Sequence, residues 1–221
     1  MVGDIAVQVE RKAVKNISIR VRRDGTVHAS VPRWMSDAEA DAFVLSRRAW
    51  IEAHAAGSPA ASGTLPTTVR VWGEELPLVV EEGAGRRAKA AVRDGRVVVE
   101  AGAHAGTEQV IAAVRALLAN EVRRALPAVA ERCEARMAVE ASAWRIRHMT
   151  SRWGSCNVKT HAITINSALA QFPPQCLEEV VTHELCHIYE RGHNARFYAL
   201  MDKYLPEWRS AHALLKTGLI L

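Results

Sequence analysis

Alternation of apolar and polar positions dominates the first hundred residues. In residues 16–31, Ile17, Ile19 and Val21, then Val27, Ala29 and Val31, share one face. A two-residue Asp24-Gly25 turn would set Val21 opposite His28 and break that face. A loop of Arg23-Asp24-Gly25 instead pairs Val21 with Val27, Ile19 with Ala29 and Ile17 with Val31, with Arg20, Arg22 and His28 on the other side. Two further hairpins are predicted. Around Gly73-Glu74 the expected register sets Val71 against Leu76 and Val69 against Leu78. Around Asp94-Gly95 it sets Val92 against Val97 and Lys89 against Glu100. Between them Ser36-Asp-Ala-Glu39 is a capping box, opening a helix with Phe43, Val44, Trp50 and Ile51 at helical spacing and an end near Gly57.

From Thr107 the period changes to 3.6. Val110, Ile111, Val114, Leu117, Leu118, Val122, Leu126, Val129 and Cys133 form one stripe, with a kink expected at Pro127. Short strands near 144–149 and 162–166 flank a loop at 151–159. Pro174 suits the first turn of a helix running to about Glu190, and Asn194 can cap another bearing Phe197, Leu200 and Met201. Pro206 starts the last helix. The pattern predicts an α+β fold: a β-rich region over residues 1–104 and a largely helical region with a small sheet over 105–221. Residues 57–66 are the linker-like stretch.

Composition narrows the classes. Of 221 residues, 49% are hydrophobic and 24% charged, ordinary for a globular chain, and no apolar run approaches the roughly 20 residues of a membrane span. Cys133, Cys156, Cys176 and Cys186 include no CxxC pair, and the first residues show no basic, apolar leader pattern; both predict a cytoplasmic protein with reduced thiols. The formal charge of +5 is local. Residues 11–33 hold seven Lys or Arg (Arg11, Lys12, Lys15, Arg20, Arg22, Arg23, Arg33) against Asp24, so the remainder is close to neutral. That basic stretch makes nucleic acid a candidate partner, against the plainer reading of a solvated outer face without interleaved aromatic residues.

The chemistry concentrates at residues 183–187, His-Glu-Leu-Cys-His. Four residues turn a helix by about 400°, so His183 and His187 stack on one face and can grip one metal ion. Glu184 and Cys186 each lie about 80° from that face, and the helical wheel alone does not choose between them. Chemistry does: the short Cys186 side chain aims away from the ion, whereas a glutamate can hold the attacking water. Gly192 can end the helix and let His193 return as a third ligand, ten residues after His183. The metzincin glycine would fall at Glu190, so that subclass is not supported. Three histidines with an open position describe a catalytic zinc site, with Glu184 as general base for zinc-activated water and amide hydrolysis as the expected reaction.

Ser-Arg-Trp-Gly-Ser-Cys at 151–156, Ile-Thr-Ile-Asn at 163–166, the run from Pro173 through His187 and Gly-His-Asn-Ala-Arg-Phe at 192–197 resemble the YgjP-like metal-dependent hydrolases, relatives of the SprT/Spartan-like zinc proteases. Residues 17–32 and 36–54 are similar to the family's opening hairpin and helix. The resemblance implies a zincin-type C-terminal region, a Zn²⁺ cofactor, His183, His187 and His193 as ligands, and Glu184 as the catalytic carboxylate. Thr150, Ser167 and Val180 stand where the family usually has Lys, Trp and an aromatic.

Other residues invite roles. The loop from Arg152 to Cys156 either walls the site or packs Trp153 into the core. Asn166 either orients substrate or caps a loop. His148, His161, Tyr189 and Tyr198 are weaker candidates for stabilising an oxyanion, and Cys156 for ligation. The expected function is zinc-dependent cleavage of a protein or peptide substrate. The alternative is a nucleic-acid-associated zinc module, with structural zinc or with proteolysis of DNA-bound proteins.

Overall fold

The computed structural model describes residues 6–14, 17–21, 26–48, 51, 65–85 and 87–216. Its contacts divide the chain into an N-terminal unit through Leu65 and a larger unit, Pro66–Leu219. The junction of residues 104 and 105 lies within the larger one.

In the N-terminal unit, β1 (Val7–Lys12), β2 (Ser18–Val21) and β3 (Val27–Pro32) form a sheet in the order β1-β3-β2. Val21 faces Val27 and Ile19 faces Ala29, as the alternation requires. The turn that joins them, with Arg22 and Lys15, lies outside the described residues. β1 was not legible as a strand, and it pairs in parallel with β3. Helix α1 (Asp37–Ser46) begins with the full capping box: the Ser36 side chain accepts from Glu39 N–H, and Glu39 accepts from Ser36 N–H at 2.9 Å. It ends at Ser46, after which Arg48 and Ile51 are again helical, Ile51 N–H donating to Arg47 O at 2.9 Å; Trp50 and Gly57 are outside the described residues. Val27, Ala29, Val31, Ala40, Val44 and Ile51 make a separate small core.

The larger unit holds two sheets and four helices among the described residues. β4 (Thr68–Val71), β5 (Glu74–Glu82), β6 (Lys89–Arg93) and β7 (Arg96–Ala101) order as β4-β5-β7-β6, with β5 and β7 parallel. The Asp94-Gly95 hairpin has the expected register, Val92 on Val97 and Lys89 on Glu100. The β4–β5 hairpin does not. Val69 faces Leu76 and Val71 faces Glu74, so the turn is Trp72-Gly73. Both residues have positive φ, 52° and 90°, as a type I′ turn demands. Tryptophan rarely adopts this conformation. Tertiary hydrogen bonds hold it there: Trp72 N–H donates to Ala170 O at 2.6 Å and its indole to Glu121 at 3.1 Å. A Cβ at residue 73 would lie 2.8 Å from Pro173 Cγ, so glycine alone fits.

Helix α2 (Thr107–Met137) continues through Pro127. Its stripe is buried from Val110 to Cys133 except for half-buried Val129. Each Leu or Ile so buried contributes about 1.5–3 kcal/mol of transfer free energy. β8 (Ala143–Arg147) and β10 (Ala162–Asn166) are parallel, and β9 (Gly154–Asn157) pairs antiparallel with β10 within what read as a loop. A buried 3₁₀ turn, Ser167–Gln171, leads to α3 (Pro174–Tyr189), α4 (Ala195–Tyr204) and α5 (Trp208–Leu215). No helix among the described residues is long and apolar enough to cross a membrane.

Candidate metal centre

α3 starts with Pro174 at its first position and buries Leu177, Val181 and Leu185, which leaves the stripe bearing His183 and His187 to face a cleft of about 510 Å³. The helix stops at Glu190, whose backbone is extended. Gly192 therefore plays no left-handed capping part, contrary to expectation. Asn194 provides the next anchor, its side chain accepting from Phe197 N–H at 3.1 Å at the start of α4. The short connection between these helices returns His193 to the first two histidines. One ring nitrogen from each of His183, His187 and His193 lies within 4.8 Å of the others, and Nε2 of His183 is 3.0 Å from Nε2 of His193.

The packing beneath them was not foreseen. Phe197 is fully buried, and its ring centroid lies 4.8, 4.8 and 4.7 Å from those of His183, His187 and His193. One aromatic side chain thus floors all three imidazoles. His187 Nδ1 lies 3.1 Å from Glu190 O. A carbonyl can only accept, so Nδ1 carries the proton and Nε2 keeps its lone pair for a metal. Burial lowers the His183 pKa to about 3 and also lowers that of His187, which keeps these rings neutral as ligands must be. The donor set fits a metal ion.

Glu184 is 5% exposed and lines the same cleft. Burial, then the negative charge of Glu179, pushes its pKa up to about 8, while Arg152 and a hydrogen bond from Cys156 N–H act the other way. β9 covers it closely: a Cβ on Gly154 would come within 2.5 Å of Glu184 Oε1. Cys186 is buried against Met201, Sγ to Sδ 3.6 Å, consistent with its exclusion as a ligand.

The loop candidates resolve individually. Residues 151–156 line the cleft, and Trp153 also packs: it stands edge-on to Phe172 at 4.9 Å and donates to Leu215 O at 3.2 Å. Both readings of that loop hold. Asn166 is fully buried, accepting from Met149 N–H and Ala168 N–H and donating to Met149 O and Arg152 O, so it shapes the loop. Cys156 lines the cleft with its thiol raised to about 11, first by burial and then by Glu184, and lies outside the histidine cluster. His148, His161, Tyr189 and Tyr198 are not among the cleft's lining residues. Tyr189 instead donates to Met137 O, and Tyr198 stacks on Trp208.

Two cleft residues escaped the sequence reading. Glu179 sits one turn before His183 and is 2% exposed, and His212 reaches it from α5 with Nδ1 3.0 Å from Oε1. The i, i+4 spacing of Glu179 from His183 could have flagged the first; nothing local signals the second.

The YgjP-like metallopeptidase domain profile matches residues 15–218. The chain belongs to the YgjP-like metallopeptidase family. Family membership implies a metal cofactor, and the three-histidine cluster is the group among the described residues that can hold one. Val180, one of the family departures, lines the cleft. Two solved structures are similar over part of the chain. One is the crystal structure of the metallopeptidase zymogen of Pyrococcus abyssi abylysin, 18% identical with a TM-score of 0.38, spanning 41% of this chain and 91% of that one. The other is the metallopeptidase zymogen of Methanocaldococcus jannaschii jannalysin, 18% identical with a TM-score of 0.37, spanning 41% and 93%. No curated protein matches.

Proposed function

We propose that this chain is a zinc-dependent peptidase that hydrolyses amide bonds, with His183, His187 and His193 as metal ligands and Glu184 as general base. The observation that carries the reading is the buried Glu184 carboxyl in the same cleft as three converging imidazoles. Three imidazoles with no fourth protein ligand among the described residues suit catalytic zinc. A zinc ion bound there supplies Lewis acidity toward the substrate carbonyl.

Glu184 does the proton work. Its raised pKa brings the carboxyl near neutrality, suited to taking a proton from the attacking water and giving it to the leaving amine. Cys156 N–H and Arg152 steady its charged form. A peptide is the substrate class that suits the cleft's wall. Asn166 N–H bonds Trp153 O, so the antiparallel alternation turns the backbone of Gly154 and Cys156 away from β10. β9 is the edge of its sheet, and with Cys156 N–H given to Glu184 an extended peptide can lie along it through the remaining outward backbone groups. In the Glu184→Gln variant, metal content should match wild type while cleavage of an unfolded protein falls by about 10²–10⁴-fold. Zinc-dependent cleavage at the wild-type rate would refute the role.

A second reading, nucleic-acid binding by the N-terminal unit, is favoured by one observation: Trp34, next to Arg33 at the end of the basic stretch, is 73% exposed. It supplies the aromatic platform that the hairpin lacks. Arg11 and Lys12 count against it, since they pair with Asp37 and Glu10.

A further inference from the structure

The residues expected to stabilise an oxyanion are engaged elsewhere or lie off the cleft, yet the cleft holds a histidine that the reaction described so far does not use. His212 projects from α5 into the wall that also bears Glu184 and the metal-binding rings. α5 is tied to the site loop by the Trp153 indole bonded to Leu215 O, and within α5 Trp208 stands edge-on to His212 at 5.4 Å. The His212 ring is tied at one end: Nδ1 lies 3.0 Å from Oε1 of Glu179, a carboxyl on α3 that is 2% exposed. Its side chain is 38% exposed, and the contact with Glu179 uses Nδ1. The ring is also close enough to the triad that a positive charge on it disfavours protonation of His183, and His193 acts likewise on His212.

We propose that His212 is a catalytic residue whose Nε2–H donates to the substrate carbonyl oxygen as negative charge develops there, with Glu179 as the positioning residue that fixes the ring. This rests on the peptidase reading above. In the step concerned, the water oxygen bonds to the carbonyl carbon and the C=O π pair moves onto oxygen, while Glu184 takes the water proton. The C–N bond then breaks, the C=O re-forms, and the amine leaves with that proton. His212 gives up no proton; it supplies a hydrogen bond that strengthens as the oxygen gains charge. Burial supports the arrangement by raising the Glu179 pKa to about 7, which favours a proton held between the two side chains. While the pair keeps that proton, as O–H donating to Nδ1 or as Nδ1–H of a protonated ring donating to the carboxylate, Nε2–H is a donor. Once the proton is lost the neutral ring carries its hydrogen on Nδ1 and Nε2 only accepts, so the role belongs to the protonated pair.

The test uses the full zinc-loaded chain and its His212→Phe, His212→Gln and Glu179→Gln variants, with zinc content and melting temperature measured for each. Steady-state cleavage of a fluorogenic peptide is followed, together with affinity for a peptide phosphonate whose tetrahedral anion mimics the attacked carbonyl. For His212→Phe the expected result is a fall in kcat of about 10²-fold with KM within about threefold, unchanged zinc, and a comparable loss of phosphonate affinity. His212→Gln, which keeps an N–H, should retain more of the rate. Glu179→Gln should lower kcat without adding fully to His212→Phe in the double variant, as expected for residues acting as a unit. If the Phe variant does not fold or loses zinc, the Gln variant decides by the same two measurements. Wild-type kcat and phosphonate affinity in folded, zinc-loaded His212 variants would overturn this proposal alone. Absence of Glu184-dependent cleavage by the wild-type chain would overturn the peptidase reading and this proposal together.

Discussion

A carboxyl that takes and returns a proton near neutral pH has to be removed from water without being paired into inertness, and the surroundings of Glu184 meet both conditions. Burial raises its pKa, and Gly154 leaves just enough space for its oxygens under β9. Gly154→Ala should therefore displace the carboxyl or the strand. The expected result is a loss of cleavage on the order of 10²-fold with zinc content unchanged, and an alanine variant with wild-type rate would contradict the contact's importance. The same burial has a signature in stability. In the metal-free protein the Glu184 pKa is about 8, above its ordinary 4.5. A raised carboxyl favours the folded state fully below its unfolded pKa, and the benefit disappears as pH climbs through the folded value. Urea unfolding of the metal-free chain should thus show wild type losing stability relative to Glu184→Gln between about pH 4.5 and 8. A gain in that window would contradict the burial argument.

At the scale of elements, the three candidate ligands depend on a helix end, a short connection and a capped helix start, with Phe197 as the common floor. Phe197→Ala should cost about 3–5 kcal/mol in denaturant unfolding, the usual cost of emptying an aromatic core site, and should weaken zinc binding in a chelator competition. Unaltered zinc affinity would show that the histidines are positioned without it. What the sequence made legible at this scale follows from locality. The capping box at Ser36 and Glu39, the Asp94-Gly95 register, the cap at Asn194 and the placing of His183 beside His187 each depend on residues a few positions apart. What it hid was nonlocal. The parallel pairings of β1 with β3 and β5 with β7 have no turn to announce them. Trp72 occupies a left-handed position because Ala170 and Glu121, distant in sequence, hold it there. β9 read as loop because its four residues pair at a short edge, and His212 meets Glu179 from a helix 33 positions away.

For the whole molecule, the locally basic stretch and the candidate chemistry lie in different units. Residues 11–33 belong to the N-terminal unit, whereas the candidate site belongs to the unit Pro66–Leu219. If the N-terminal unit binds nucleic acid, retention on heparin should fall with salt, and Trp34→Ala should lower retention on single-stranded DNA; a flat salt response would dismiss that partner. The metal claim is independent of it. The central claim is that three histidines and one glutamate perform metal-dependent hydrolysis, and the most direct measurement is the rate at which the full chain cleaves an unfolded protein before chelation, after removal of bound metal, and after return of one equivalent of zinc. The account predicts loss of the rate on metal removal and its recovery at about one zinc per chain. Cleavage that persists undiminished in the metal-free protein would contradict it.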